Sequence, residues 1–158
     1  MDPEDVRLDN REFFLAAQTG VMRRIQAKQR GEVHVAGADD RDGWRNDIEG
    51  ACGEMAVCKH LGVYWQGGVG LQRHSGDCHR YEVRTTALRR TGHLLLRPGD
   101  HDDAIFILVV GTAPQFALVG WLYGHEGKQA EYAQAPNNRT SCYMVPQSAL
   151  HALAMLPT

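Results

Sequence analysis

The sequence predicts one domain of mixed α/β class, of the α+β kind, in which helices flank a central mixed β-sheet of about four to five strands. Three observations lead to this prediction. The chain has 158 residues, a length typical of a single domain. Its first part repeats apolar residues at helical spacing, whereas its middle contains short apolar runs typical of strands. Glycine, proline and aspartate separate those runs, as expected for turns between strands.

Residues 1–43 are expected to form an N-terminal helix and a loop. The helix is predicted over residues 10–30, with Asn10 as its N-cap and basic residues in its last turns. The loop is predicted over residues 31–43, which are rich in glycine and aspartate. The apolar residues that follow the helical period are Phe13, Phe14, Ala17, Val21 and Ile25.

Residues 44–123 are expected to form the core helix and the sheet. The helix is predicted over residues 44–61 and ends at Gly62. On a helical wheel Glu54 falls at the border of the apolar stripe, roughly 95° from its centre, so its side chain is expected to reach the rim of the sheet. Glu49 projects from the opposite and more solvated flank.

Two glycines interrupt this second helix. Gly50 and Gly53 weaken it by roughly 1 kcal/mol each relative to alanine. Their missing side chains would allow another element, or a substrate, to approach the helix closely.

The strands are predicted from the apolar runs that follow. The run "IFILVV" is apolar on both faces and is therefore expected to be a central strand. Residues 124–158 are expected to add a C-terminal turn, a short strand near "CYMV" and a last helix over residues 147–155. The strand candidates are residues 81–86, 93–97, 105–110 and 116–123.

Composition narrows the classes of protein. The formal net charge of −2 gives no large electrostatic footprint for nucleic acid, although five arginines between residues 80 and 97 leave room for a local basic patch. No apolar run is long enough to cross a bilayer, and the acidic N-terminus lacks the layout of a signal peptide. A cytoplasmic protein without a membrane partner is therefore expected.

The four cysteines have irregular spacing without a CxxC pair, which predicts neither a disulfide scaffold nor a standard zinc site.

The stretch "SGDCHRYEVRTT", residues 75–86, carries the candidate chemistry. Because side chains alternate along a strand, Glu82, Arg84 and Thr86 are expected to share one face, with the apolar positions on the other. A hairpin would bring Asp77 close to Glu82. Two carboxylates that converge at a strand end form a hard oxygen site suited to Mg²⁺. The competing interpretation is a solvated ion pair after a Gly-Asp turn.

These residues, with "GACGEMAVCKHLG" before them, resemble the restriction-endonuclease-like, PD-(D/E)XK nuclease superfamily. The resemblance covers about half of the chain, and "FALVGWLYGHEGK" is similar to the later strand and turn of small phage-type or defence-related members. It implies that Glu54 is the helix acid and Asp77 the first strand acid. Glu82-Val83-Arg84 then takes the place of the (D/E)-x-K element.

The resemblance implies metal-assisted hydrolysis of phosphodiester bonds. Asp77 and Glu82 would bind Mg²⁺ or Mn²⁺, with Glu54 as a ligand directly or through water and the Val83 carbonyl completing the coordination shell. Arg84 would stabilise the developing charge on the phosphate. Further phosphate contacts are predicted for His79, Arg80 and Thr86. DNA is the expected substrate rather than RNA, and cutting of both strands favours a homodimer.

One departure from the family pattern leaves alternatives open. The family lysine is Arg84 in this chain, and a guanidinium stays protonated, so it cannot act as a base. Lys59 or Lys128 would have to supply a neutral amine if one is needed. Otherwise the chain is a catalytically inactive relative that binds nucleic acid or a protein partner. A third alternative is a phage or mobile-element accessory protein with a structural or inhibitory role.

Overall fold

A computed structural model describes residues 3–31, 40–69, 77–134 and 141–157. The helices in these ranges are α1 (Asn10–Gln29), α2 (Asp40–Leu61) and α3 (Gly124–Gly127). The strands are β1 (Glu4–Arg7), β2 (Tyr81–Thr86), β3 (Leu94–Leu96), β4 (Ile105–Thr112), β5 (Gln115–Tyr123), β6 (Ala133–Gln134) and β7 (Cys142–Val145). No helix of the described ranges is long and apolar enough to cross a membrane.

The main sheet has four strands in the order β1-β5-β4-β2, which confirms the predicted mixed α/β class. The strands β4 and β5 form an antiparallel hairpin, β1 pairs antiparallel with β5, and β2 runs parallel to β4. The "IFILVV" strand is central and buried on both faces, as predicted. The strand β2 ends the order, so one of its edges carries no strand within the described part of the chain.

Two cores cover the two faces of this sheet. Ile105, Ile107 and Val109 of β4 belong to the core that contains residues of α2, whereas Phe106 and Leu108 belong to the core that contains β3 and β7. This division follows from the alternation of side chains along a strand. A second sheet, in the order β3-β7-β6, therefore covers the face opposite the helices.

The helix α1 begins at Asn10, the first residue of the predicted range, but its predicted cap is wrong. Its N-cap is Asp9 rather than Asn10, because Asp9 and Glu12 form a capping box. The Asp9 Oδ1 atom accepts hydrogen bonds from the backbone N–H groups of Arg11 at 2.7 Å and Glu12 at 2.9 Å. The Glu12 carboxylate accepts in return from the Asp9 N–H at 2.7 Å.

Other element boundaries differ from the prediction. The chain forms β1 before α1, which the sequence did not predict, and α2 begins at Asp40 inside the predicted loop, of which residues 32–39 lie outside the described ranges. The prediction of a last helix over residues 147–155 is wrong. Only 3₁₀ turns form at Gln147–Ala149 and Leu153–Met155, because the backbone of His151 between them pairs with Trp121 of β5.

A disulfide joins Cys58 and Cys78, with their Cα atoms 5.7 Å apart, although the sequence predicted no disulfide scaffold. The irregular spacing of the cysteines did not reveal this bond, because the two residues meet only through the packing of the folded chain. The end of α2 lies against the turn that leads into β2, and both cysteines are buried there. Cys52 and Cys142 are free.

The two glycines of α2 have different surroundings. A Cβ atom added at Gly53 would overlap the Thr85 hydroxyl, so α2 approaches β2 closely only because Gly53 has no side chain. A Cβ atom added at Gly50 would meet no atom within 4 Å. The predicted close approach is therefore made at Gly53, whereas Gly50 faces open space.

We expect Gly53→Ala and Gly50→Ala to change stability in opposite directions. The first should lower the free energy of unfolding by about 1–3 kcal/mol, because the new methyl group overlaps Thr85. The second should raise it by about 0.5–1 kcal/mol, because alanine is the better helix former. Urea denaturation of both variants measures the difference. Equal shifts in the two variants would contradict the close packing at Gly53.

The disulfide predicts the number of titratable thiols. Alkylation in denaturant should modify two cysteines, Cys52 and Cys142, and all four after treatment with dithiothreitol, as counted by mass spectrometry. Reduction should lower the free energy of unfolding by about 3 kcal/mol, because the bond closes a loop with a sequence separation of 20 residues. Four alkylated cysteines without reductant would show that the bond is absent.

Candidate active site

The strand β2 sends its side chains alternately to the two faces of the sheet. Tyr81 and Val83 are buried in the core that α2 shares, whereas Glu82 and Arg84 point toward the other face. The Arg84 guanidinium lies 4.9 Å from the centre of the Phe106 ring, so an aromatic face supports it.

Asp77 lies beside the open edge of β2. Its backbone N–H donates to the Tyr81 carbonyl at 2.9 Å, and the turn closes with the Tyr81 N–H donating to the Cys78 carbonyl at 3.0 Å. The Val83 N–H donates to the Asp77 Oδ2 atom at 3.0 Å. The carboxylate therefore takes a hydrogen bond that an edge strand would otherwise offer to solvent. The structure thus brings Asp77 next to Glu82 and Arg84.

Arg84 is the centre of an ion-pair network. Its Nη1 atom lies 3.9 Å from Asp77 Oδ2 and 3.7 Å from Glu82 Oε2, and its Nη2 atom donates to Asp100 Oδ2 at 3.0 Å. We call Asp77, Glu82, Arg84 and Asp100 the acid cluster. It contains three carboxylates and one guanidinium, which leaves an excess of negative charge in a partly buried place.

Asp100 is a member of this cluster that the sequence did not reveal. It lies in "PGDHDDA", where three acids within four positions suggested only a polar turn. The turn does form, since Asp100 Oδ2 accepts from the Arg97 N–H at 2.9 Å. Lys128 secures the same segment by donating to Asp102 Oδ1 at 2.8 Å and to the Pro98 and Asp100 carbonyls. The turn therefore also delivers a carboxylate to Arg84.

The pKa of the Glu82 carboxyl reflects the electrostatics of the acid cluster. Burial raises the pKa of Glu82, and the negative charge of Asp77 and a hydrogen bond with its carboxyl raise it further. The positive charge of Arg84 acts in the opposite direction but does not reverse the shift. Ionised Glu82 is thus under-compensated in this structure.

Glu54 lies on the helix-covered side of the sheet, near enough to Asp77 for the two charges to interact. It is 5% exposed, which excludes the ordinary surface glutamate and goes beyond the predicted border position. Arg23 holds it with two hydrogen bonds of 2.6 and 2.8 Å, and the Trp65 Nε1–H donates to it at 3.3 Å. Burial raises the pKa of Glu54, and the negative charge of Asp77 adds to the shift. Arg23 was not predicted, because a basic residue late in α1 is typical of helix ends.

The predicted phosphate contacts lie at opposite ends of β2. His79 and Arg80 are exposed on the turn next to Asp77. Thr86 is four residues beyond Glu82, about 13 Å along an ideal strand, and its hydroxyl accepts from the Leu88 N–H at 3.4 Å. The structure thus separates Thr86 from the acid cluster.

Neither candidate replacement for the family lysine reaches Arg84. Lys59 is bound to the Glu12 carboxylate at 2.6 Å and to the Arg7 carbonyl at 2.9 Å. Lys128 is occupied by the loop described above. Among the described residues, Arg84 is therefore the cation that contacts the carboxylates of the acid cluster.

A divalent cation suits the charge of the acid cluster, although no three His, Cys, Asp or Glu side chains of the described residues form a ready-made metal group. The carboxylates of Asp77 and Glu82 and a nearby backbone carbonyl are hard oxygen donors. The Val83 carbonyl is one such donor, 3.4 Å from Arg84 Nη1. No protein-family model, curated protein or solved structure matches this chain. Assignment to the nuclease superfamily therefore stays a prediction from the motif residues.

Glu82→Gln should stabilise the protein at pH 7 in the absence of divalent ions. The raised pKa means that ionised Glu82 costs stability, and this cost appears as the pH rises from the unfolded-state pKa through the folded-state pKa. The gain should be about 1 kcal/mol or less, since the side chain is 33% exposed and solvent screens it. Below about pH 4 the two proteins should converge, because glutamate is then protonated in both states.

Thermal melting from pH 4 to pH 8 measures this difference. The exposed Glu131→Gln is the control for the loss of one negative charge. A variant that is less stable than the wild type at pH 7 would contradict the under-compensated charge at Glu82.

Proposed function

We propose that the protein is a Mg²⁺- or Mn²⁺-dependent nuclease that hydrolyses phosphodiester bonds, with DNA rather than RNA as its substrate. The observation that supports this is the excess negative charge of the acid cluster around one guanidinium. Folded proteins seldom keep partly buried carboxylates under-compensated, because the arrangement costs stability. Such a cost is expected where the carboxylates bind a cation.

The chain's own residues divide the work. Asp77, Glu82 and the Val83 carbonyl would hold the ion, with Glu54 behind them directly or through water. When bound, Mg²⁺ supplies Lewis-acid polarisation of the scissile phosphate. The Val83 N–H and Arg84 hold the Asp77 carboxylate in place, and Phe106 and Asp100 hold the Arg84 guanidinium.

Arg84 and Glu82 take different roles in this proposal. The guanidinium stays charged and would donate hydrogen bonds to non-bridging phosphate oxygens as negative charge develops there. It cannot accept a proton from the attacking water. Glu82, whose charge is under-compensated, would instead supply that negative charge to the ion as a ligand.

A catalytically inactive protein that binds nucleic acid is the second candidate. The ion pairs themselves favour it, because Arg84 contacts all three carboxylates of the cluster and Arg23 satisfies both oxygens of Glu54. Carboxylates that already have cationic partners have less need of a metal ion. In either case a homodimer remains part of the proposal for action on both strands of a duplex.

Cleavage assays separate the two candidates. Plasmid, linear duplex and single-stranded DNA are incubated with the protein in Mg²⁺, Mn²⁺ or EDTA. A nuclease should cut in the presence of either ion, and Asp77→Asn and Glu82→Gln should each lower the rate by about 10²-fold or more. Arg84→Lys should keep activity, because it restores the family motif, whereas Arg84→Ala should lose it.

The Glu131→Gln variant is the matched control and should cut like the wild type. Binding of DNA without cleavage in any metal would overturn the nuclease and favour the inactive relative. Absence of both binding and cleavage would overturn nucleic acid as the partner and favour the accessory-protein alternative.

A further inference from the structure

A cleft of about 320 Å³ opens at the carboxyl end of β2, away from the acid cluster. Arg45, Asn46, Glu49 and Gly50 line it from α2, and residues 85–88 line it from the end of the strand. None of the residues in the acid cluster contributes to this lining. The cleft is therefore a separate feature, at the other end of β2.

The lining offers donors to an anion. Arg45 is exposed, and within the described residues its guanidinium makes no ion pair or hydrogen bond, unlike Arg23 and Arg84. Asn46 is also exposed beside it. The acid of the lining, Glu49, is engaged elsewhere, since its Oε2 atom accepts from the Ala113 N–H at 2.9 Å. The Arg45 guanidinium therefore has donors open to a ligand, with the Glu49 carboxylate in the same lining.

A further observation indicates that the cleft has room for a ligand. Gly50 leaves open space where any other residue would place a side chain. A helix that keeps glycine at a position where alanine fits without contact loses stability and gains room.

The distance from the acid cluster gives the cleft a specific place on a substrate. Glu82 and Thr86 are four residues apart in β2, which corresponds to about 13 Å. Successive phosphates of one strand in a duplex are separated by about 3.4 Å along the helix axis. The two ends of β2 are thus about four nucleotides apart on a stacked strand.

We propose that this cleft binds the phosphodiester backbone of the substrate strand about four nucleotides from the bond that is cut, with Arg45 as its main phosphate contact. The inference rests on the proposed nuclease function. It assigns a role to Gly50. It also places the phosphate contact that was predicted for Thr86 in this cleft rather than at the acid cluster.

Binding is measured by fluorescence anisotropy with labelled single-stranded and duplex DNA of 12 nucleotides, in EDTA so that no cleavage occurs. Arg45→Ala should weaken binding about 5- to 10-fold and reduce the salt dependence by about one phosphate contact. Gly50→Glu should weaken it further, because a carboxylate then occupies the cleft. Arg11→Ala is the control for the lost positive charge and should bind like the wild type.

Two more arms identify the ligand. Oligonucleotides of three nucleotides, which are too short to span β2, should also bind Arg45→Ala more weakly than the wild type, because the cleft would hold them without the acid cluster. Inorganic phosphate that displaces the 12-nucleotide DNA in the low millimolar range would instead indicate a site for free phosphate and would overturn the proposal. Thermal melting checks that each variant is folded.

The failures of the two proposals are distinguishable. If the wild type cleaves or binds DNA but Arg45→Ala and Gly50→Glu behave like it at every length, the cleft is not a backbone site and the nuclease proposal stands. If the wild type neither binds nor cleaves DNA, the proposed function fails, and the cleft proposal fails with it.

Discussion

The hydrogen bond from the Val83 N–H to the Asp77 carboxylate is the contact on which the candidate site depends. It fixes an acidic side chain at the edge of β2 that carries no strand within the described ranges, so the Asp77 carboxylate takes up this backbone donor. Glu82 and Arg84 reach this point from one face of the sheet, and the charge of Glu54 acts on Asp77 from the other. An edge strand is thus the only kind of strand that can offer such a meeting place.

The surroundings of the site are built to hold this arrangement. Gly53 lets α2 lie against β2, the disulfide ties the end of α2 to the residue after Asp77, and Lys128 braces the turn that carries Asp100. These contacts involve three separate parts of the chain. The stability that they contribute offsets the repulsion among carboxylates, a balance that is usual where a folded protein keeps charge for use.

Much of the fold follows from local pattern. The helices and the central strand β4 were predictable because helical period and an all-apolar run report burial directly. The absence of the last helix was not predictable, because the pairing of His151 with β5 overrides local preference. The sequence of residues 147–155 contains no signal for a partner some thirty positions earlier. The disulfide escaped prediction for the same reason, since two cysteines on different elements meet only through the packing of α2 on β2.

The candidate site was likewise predictable only in part. The alternation of β2 placed Glu82 and Arg84 together, and the turn brought Asp77 to them. Asp100 and Arg23 could not be inferred, because each comes from a segment whose charge has an adequate local explanation. The full burial of Glu54 also exceeds the predicted border position, since glutamate is rarely buried unless it is paired, and its partner lies on another helix.

The covalent bond between Cys58 and Cys78 has a consequence for the integrity of the molecule. A protease that severs the backbone anywhere between these positions produces two pieces that remain attached, and they separate only on a reducing gel. The helix that carries Glu54 and the strand that carries Glu82 would stay tethered after such a nick, so damage to the intervening peptide need not scatter the residues of the site.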